Sequence, residues 1–231
     1  DLGMSLRTKR PVLEEVAARY GNTMALTIAS LAWSSALGII LGVWSGKNRG
    51  KWQDFTGMTV AVSGISLPNF WIGFLLIMLF SVKLRWLPTT GAGSWKNLIL
   101  PAITLGTSIA AIIARFTRSS IVEVLKEDYI RTARAKGLKE KAVTWGHAFR
   151  NSMISVVTVV GLQFGFLLGG SVVTEAVFAY PGLGQLLVES VNYRDYPAIQ
   201  SLILIFSLQF IIINLIVDIL YAVLNPEIKM S

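Results

Sequence analysis

The sequence EDYIRTARAKGL, at residues 127–138, is a charged segment between two long apolar segments. From Arg115 to Arg150 the chain carries nine Lys or Arg residues and four Asp or Glu residues, many of them at helical spacing. A polar helix between two membrane spans has to lie outside the lipid, and an excess of basic residues in a short loop places that loop in the cytoplasm. We therefore expect an amphipathic cytoplasmic helix that receives a push from a soluble partner.

The composition is that of a membrane protein. Hydrophobic residues make up 53% of the chain, charged residues only 15%, and the mean hydropathy is +0.60, whereas about a quarter of the residues in a soluble domain are charged. Seven Trp and twenty Gly fit a polytopic all-α membrane protein, in which aromatic residues anchor interfaces and glycines let helices approach. The net charge of +8 lies mostly on short loops, so we expect contact with a lipid bilayer and no nucleic-acid partner.

Five segments are apolar enough to cross a bilayer, which takes about 20 residues each. They are approximately Thr23–Trp44, Phe55–Val82, Leu98–Phe116, Met153–Thr174 and Ala198–Leu224. The third segment is the shortest of the five. Pro68 lies inside the second segment and predicts a kink or break there.

The distribution of basic residues predicts the orientation of these spans. Thirteen Lys or Arg residues fall on one side of the five-span arrangement and eight on the other, and the loop of nine belongs to the richer side. The positive-inside rule places that side in the cytoplasm. We therefore expect the C-terminus in the cytoplasm and Asp1 outside.

The two ends of the sequence suggest how the chain is divided. The start, Asp1-Leu2-Gly3-Met4-Ser5, contains neither an initiator Met nor a signal peptide, so we expect a preceding segment that includes one more span. The predicted parts are an external segment at residues 1–18, a transmembrane domain at residues 19–224 and a cytoplasmic tail at residues 225–231.

Two outer loops have recognisable patterns. One is bracketed by Trp86 and Trp95, as expected for a loop at the membrane interface. The other, FAYPGLGQLL at residues 178–187, predicts a turn that enters a short amphipathic helix. We expect its aromatic residues to be interfacial anchors.

Several motifs together resemble one family. The stretch Asp128–Gly137, continued by HAFRNS at residues 147–152, resembles the cytoplasmic loop of permeases from binding-protein-dependent ABC importers. The resemblance is greatest to the subfamily for dipeptides, oligopeptides, glutathione and nickel. Further matching motifs occur in order: DLGMS at 1–5, LPNFW at 67–71, WLP at 86–88, FAYPGLG at 178–184, RDYP at 194–197 and NP at 225–226. Residues 61–66 and 161–170 look most like glutathione-importer permeases.

This resemblance implies a fold, a function and a set of partners. The fold is a type I ABC importer transmembrane domain in the bacterial inner membrane, with five spans visible here. The partners are a second homologous permease, two ATP-binding subunits and an extracytoplasmic solute-binding protein. ATP and Mg²⁺ would bind the ATPase subunits, so no cofactor is expected on this chain. The function is ATP-driven import of peptides, glutathione or a related small solute by alternating access.

In this family the cytoplasmic loop carries a coupling helix that docks in a groove of the ATPase, expected here at Val124–Lys136. The loop signature is an acidic residue, two small residues and a glycine after a fixed gap. Gly137 is that glycine, Thr132 and Ala133 hold the small positions, and Arg131 replaces the acidic residue. The expected docking residues are Asp128, Arg131, Thr132, Ala133, Arg134, Ala135, Lys136 and Gly137.

The chemistry of these residues also favours docking. Ala133 and Ala135 are small enough for a partner surface to come close, and the basic side chains offer charge to acidic groups. Gly137 is expected to cap the helix, with Lys136 at the negative end of the helix dipole. The alternative is a basic helix that rests on anionic lipid.

Residues within the spans supply further candidates for packing or for the transport pathway. Gly161, Gly165 and Gly169 form a stripe that lets another helix approach, either in this subunit or in the second permease. Glu175 is expected to line the outer mouth of a pathway. Asp218 either faces the bundle interior beside Asn214 or lies near the cytoplasmic interface.

Other classes of function have less support. The chain has no cysteine, one histidine and no phosphate-binding loop, so we expect no metal site, no ATP binding and no enzyme. An intramembrane hydrolase would need a facing pair of polar catalytic residues. A secondary carrier would transport without ATPase subunits and often shows an inverted repeat. A nickel or metal-chelate importer of the same family is the remaining alternative.

Overall fold

A computed structural model describes the backbone of residues 2–224 and all their side chains except those of residues 141 and 220–224. The predicted tail, with its NP motif at 225–226, lies outside the described residues. The longer helices are α1 (Val12–Lys47), α2 (Trp52–Ser66), α3 (Asn69–Leu76), α4 (Lys96–Val124), α5 (Asp128–Ala135), α7 (Arg150–Val177), α8 (Leu183–Asn192) and α9 (Tyr196–Leu224). The one-turn helix α6 (Glu140–Ala142) and two π-helical segments, Ile77–Lys83 and Val143–Phe149, complete the order.

The long helices account for the predicted spans. Four helical segments are long and apolar enough to cross a membrane, and the pair Trp52–Ser66 and Asn69–Lys83 can form a fifth, broken span. The break occurs at Pro68, as predicted, because this residue is extended (φ −61°, ψ 134°) and caps α3. The third span is not the shortest: α4 has 29 residues. The helix continues past Phe116 through basic residues, because Arg118 pairs with the buried carboxylate of Asp54.

The helices divide into two compact units. Unit one contains residues 2–32, 67–106 and 164–214. Its apolar core joins α1 to α8 and α9 through Val12, Val16, Leu183, Leu186, Ala198 and Leu202. Residues 2–11 also belong to this unit, since the Ser201 hydroxyl donates to the Leu2 carbonyl and the Ser5 hydroxyl donates to Asp195. The start of the chain therefore packs as part of this core.

Two aromatic residues of unit one differ from the prediction. Phe178 and Tyr180 are buried, so they are core residues and not interfacial anchors. The turn that holds them does enter the short helix α8, as predicted. Trp86 and Trp95 of the other outer loop are exposed.

Unit two contains residues 33–66, 107–163 and 215–224. Glycines on α1 let α4 approach closely: a Cβ at Gly38 would lie 2.7 Å from the Ala110 carbonyl oxygen, and a Cβ at Gly42 would lie 2.6 Å from that of Ala114. Gly46 continues the row against Ile121. This spacing of four residues is the pattern of closely packed membrane helices.

Candidate functional site

Helix α5 has sequence-encoded signals at both ends. Asp128 lies in its first turn, where a negative charge is favourable to the helix dipole. At the other end, the Gly137 amide donates to the Arg134 carbonyl at 2.9 Å and the Leu138 amide to the Ala133 carbonyl at 3.3 Å. Gly137 has φ +79°, so this is a Schellman cap and the predicted capping role is confirmed. The helix spans Asp128–Ala135, which is shorter than the predicted Val124–Lys136, because α4 ends and a turn intervenes.

One face of α5 is buried within unit two. Ile130 and Ala133 pack in a cluster with Val143 and Ala148, against which Val124 also packs. The prediction that a partner approaches both alanines is therefore wrong for Ala133, whose side chain points into this cluster. The cluster ties α5 to the end of α4 and to the segment that precedes α7.

The opposite face of α5 is exposed. It carries Thr132, Ala135 and Lys136 together with Asp128 and Arg131, whose side chains are 95% and 78% exposed. The latter two form a loose ion pair at 3.4 Å. These residues are among those predicted for docking, and side chains of both signs of charge are exposed on this face.

Arg134 has a defined partner in the same loop. Its Nε lies 2.7 Å from Oε1 of Glu140, and this hydrogen bond lowers the pKa of Glu140 below its ordinary value. The pair holds α6 near the C-terminal end of α5. Arg134 thus has a closer partner within the loop than Arg131, whose contact with Asp128 is 3.4 Å long.

The segment after α6 is a π-helix, Val143–Phe149, which is an uncommon conformation frequently found at functional sites. Its Trp145 and Phe149 rings lie 5.2 Å apart. Just after it, in α7, the side-chain amide of Asn151 donates to the hydroxyl of Tyr129 in α5 at 3.1 Å. This hydrogen bond joins α5 to the start of α7.

Only part of the predicted glycine stripe on α7 has another helix packed against it. A Cβ at Gly161 would lie 2.8 Å from the Val217 side chain, and one at Gly165 would lie 3.3 Å from the Phe210 ring, so both glycines pack against α9. A Cβ at Gly169 would meet nothing within 4 Å. Gly165 and Gly169 also line an apolar groove of about 680 Å³ with Phe206 and Phe210.

Glu175 does not line an outer mouth, because it is fully buried in unit one. Its carboxylate accepts hydrogen bonds from the Thr23 hydroxyl at 2.9 Å and from the amides of Gly184 at 2.7 Å and Gln185 at 3.2 Å. Thr23 in turn accepts from the Leu183 amide at 2.8 Å. Glu175 and Thr23 thus satisfy the first amides of α8, which its own N-cap residue, a glycine, leaves without a side-chain acceptor.

Asp218 is exposed on α9, so the expectation that it lies in a bundle interior is not met within this chain. Metal ligands are not gathered either: among the described side chains, no three His, Asp or Glu residues are placed to hold an ion. His147 is exposed in the π-helix.

An ion pair in unit two, between a buried carboxylate and a partly buried guanidinium, was not predicted from the sequence. Arg118 donates from Nε to Oδ1 of Asp54 at 2.6 Å and from Nη2 to Oδ2 at 2.7 Å. Ser45 donates to the same carboxylate. The sequence did carry a signal for it: Asp54 is an acidic residue at the edge of the second predicted span, where a charge needs a partner.

Comparisons with known proteins agree on one family. Residues 38–230 match the family described as "Binding-protein-dependent transport system inner membrane component". The glutathione transport system permease protein GsiC of Escherichia coli O6:H1 is 58% identical over 229 residues, which cover 99% of this chain and 75% of that protein. The protein of the same name from Pectobacterium atrosepticum is 57% identical over the same shares.

Solved structures share the fold. A chain of the MetNI methionine ABC transporter, in an inward-facing conformation, superimposes with a TM-score of 0.80 at 18% identity, covering 93% of this chain and 98% of that chain. A chain of an amino acid ABC transporter crystallised with histidines gives a TM-score of 0.72 at 13% identity, covering 90% and 94%.

Proposed function

This chain belongs to the family of binding-protein-dependent transport system inner membrane components and is a permease subunit of an ABC importer, and we propose that it imports glutathione or a closely related short peptide. The observation that carries the substrate class is the 58% identity to a glutathione permease over 99% of the chain. The permease is a transport component and not an enzyme. Family membership sets aside the secondary carrier and the intramembrane hydrolase.

The importer family implies ATPase and binding-protein partners in an inner membrane. We propose two ATP-binding subunits, a second homologous permease and one extracytoplasmic solute-binding protein. The basic loop that holds α5 faces the cytoplasm, as the excess of Lys and Arg favours. The C-terminus is then cytoplasmic, and residues 2–11 and α8 lie outside. ATP and Mg²⁺ bind the ATPase subunits, which leaves this chain without a cofactor.

In this proposal, α5 receives motion from the ATPase on its exposed face. Arg131 and Lys136 contact acidic groups in the ATPase groove, and Asp128, Thr132, Ala135 and Gly137 complete the surface. The buried cluster of Ile130 and Ala133 with Val143 supports transmission, because displacement of α5 has to move the neighbouring ends of α4 and α7. The spans then alternate between access from outside and access from the cytoplasm.

The test is uptake of radiolabelled glutathione into proteoliposomes that contain the complete importer, its binding protein and internal ATP. We expect ATP-dependent uptake that excess unlabelled glutathione abolishes and nickel ions leave unchanged. Arg131→Glu should lower glutathione-stimulated ATP hydrolysis at least fivefold by reversing a charge on the docking face. Arg150→Glu, an exposed arginine outside that face, is the matched control and should stay within twofold. Uptake without ATP, or equal hydrolysis in both variants, would contradict the proposal.

A further inference from the structure

A cavity of about 470 Å³ lies beside the start of α1 in unit one. Three arginines and two glutamates contribute most of its lining: Arg7, Arg10, Arg19, Glu14 and Glu15. Its volume is within the range of pockets that take small organic ligands. None of these side chains belongs to α5.

Two of the arginines are held in place by the same carboxylate. Nη2 of Arg7 and Nη2 of Arg19 lie 3.2 Å and 3.3 Å from Oε2 of Glu189. The Arg7 guanidinium also lies 5.1 Å from the centre of the Tyr193 ring, a cation–π contact. These contacts fix the two guanidiniums at one side of the cavity before any ligand arrives.

The arginines have more donors than the protein uses. Nη1 of Arg19 is buried and has no hydrogen-bond partner among the described residues. Arg10 is exposed, and no ion pair joins it to another described side chain. The guanidinium fork matches a carboxylate in shape and charge.

We propose that this cavity binds the carboxylate of a small zwitterionic solute, with Arg10 and Arg19 as the carboxylate-binding side chains. Glu14 lines the same cavity and is suited to the ammonium group of such a solute. Glu15 also lines the cavity, but its carboxylate already accepts a hydrogen bond from the Thr8 hydroxyl, so it is less available to bind an ammonium group. Because carboxylates of the protein face the cavity, a solute with both signs of charge binds better than a simple anion. The inference rests on the proposed function, since glutathione carries two carboxylates and one ammonium group.

The test uses the complete permease–ATPase complex in nanodiscs without binding protein, and radiolabelled glutathione as the probe. Arg10→Gln and Arg19→Gln are expected to weaken glutathione binding at least tenfold. Lys9→Gln removes one positive charge from the same segment but does not line the cavity, so its affinity should stay within twofold. Arg10→Gln is the decisive variant, because Arg10 has no ion pair whose loss could disturb folding. The amount of ATPase that co-purifies with each variant reports assembly.

The outcomes separate this inference from the proposed function. Wild-type affinity in both arginine variants, or no glutathione binding by the wild-type complex, overturns the inference. It is also overturned if the arginine variants weaken docking of the binding protein tenfold but leave glutathione binding unchanged, because the arginines then serve an acidic protein surface. ATP-dependent glutathione uptake by the wild-type importer is measured in parallel. If that uptake persists, failure of the binding experiment affects this inference alone.

Discussion

Asp54 and Arg118 form a two-point hydrogen-bonded ion pair, 2.6 Å and 2.7 Å long, between residues 64 positions apart in the chain. Asp54 is buried and also accepts from the Ser45 hydroxyl and, at 3.0 Å, from the Gly50 amide. These four donors join the end of α1, the start of α2 and the last turns of α4. The pair therefore fixes the last turns of α4, which lead into α5.

Asp54→Asn should destabilise the permease because it leaves the Arg118 guanidinium without a counter-charge. Removing one partner of a buried pair costs about 3 kcal/mol, and the partial exposure of Arg118 reduces this to about 2 kcal/mol. The measurement is denaturant unfolding of the purified complex. Asp128→Asn is the matched control, since its side chain is 95% exposed and should change the unfolding free energy by less than about 0.5 kcal/mol. Equal stability of the two variants would contradict a structural role for the pair.

The glycine row on α1 and the glycine stripe on α7 predict opposite outcomes for a glycine-to-alanine substitution. Gly42→Ala places a Cβ 2.5 Å from Cβ of Thr117 and close to the backbone of α4, so the helices have to separate. We expect a loss of about 2 kcal/mol or more, measured as a lower melting temperature of the complex. Gly169→Ala meets no atom within 4 Å and should leave the melting temperature unchanged or slightly higher. If Gly169→Ala lowers the melting temperature as much as Gly42→Ala, then Gly169 is also in close contact with another helix.

Asp195 predicts a pH dependence of stability. Burial alone would raise its pKa, but hydrogen bonds from Ser5, Leu6, Arg7 and Ala198 outweigh burial and lower the pKa below 3.8. A carboxylate with a lowered pKa stabilises the folded state above its ordinary pKa, and this contribution is lost as the pH falls through the folded-state value. Asp195→Asn should therefore lower the melting temperature at neutral pH.

The difference between wild type and Asp195→Asn should narrow as the pH falls below 3.8. Ser5→Ala removes one of the donors and should give a smaller difference with the same trend. A difference that grows with acidification would contradict the assigned direction. Melting temperatures of the purified complex across the acid range provide the measurement.

Local signals were sufficient to predict several features. The apolar runs predict the spans, Pro68 predicts the break between α2 and α3, and Gly137 predicts the end of α5, because each depends on neighbouring residues. The row at Gly38 and Gly42 has the same spacing as the stripe on α7, so it was visible in the sequence as well. Spacing alone does not tell which of two such rows has a helix against it.

Features that depend on distant partners were not predictable in this way. Glu175 has the sequence signature of a pathway residue, but its role follows from Thr23, 152 residues away, and from the α8 amides. Asp195 and Ser5 are separated by 190 residues. The orientation of Ala133 could not be predicted either, because the packing of Val143 and Ala148 decides which face of α5 is buried.

The cap of α5 gives a last prediction, on coupling. Gly137→Ala meets no atom within 4 Å, but φ +79° is a conformation that costs an L-residue about 1 kcal/mol. This strain should loosen the end of α5 next to the docking face. We expect less glutathione imported per ATP hydrolysed, by about twofold to fivefold, with normal insertion in the membrane. The ratio is measured in proteoliposomes that contain the complete importer.

Gly146→Ala is the matched control for this prediction. It makes the same substitution in the same loop and also meets no atom within 4 Å, but Gly146 has no positive φ and lies in a helical segment. Alanine is favoured over glycine there by about 0.5–1 kcal/mol, so import per ATP should be unchanged. If both variants lose coupling equally, the loop depends on glycine for flexibility and not for the left-handed cap. If neither loses coupling, the end of α5 does not transmit the motion of the ATPase.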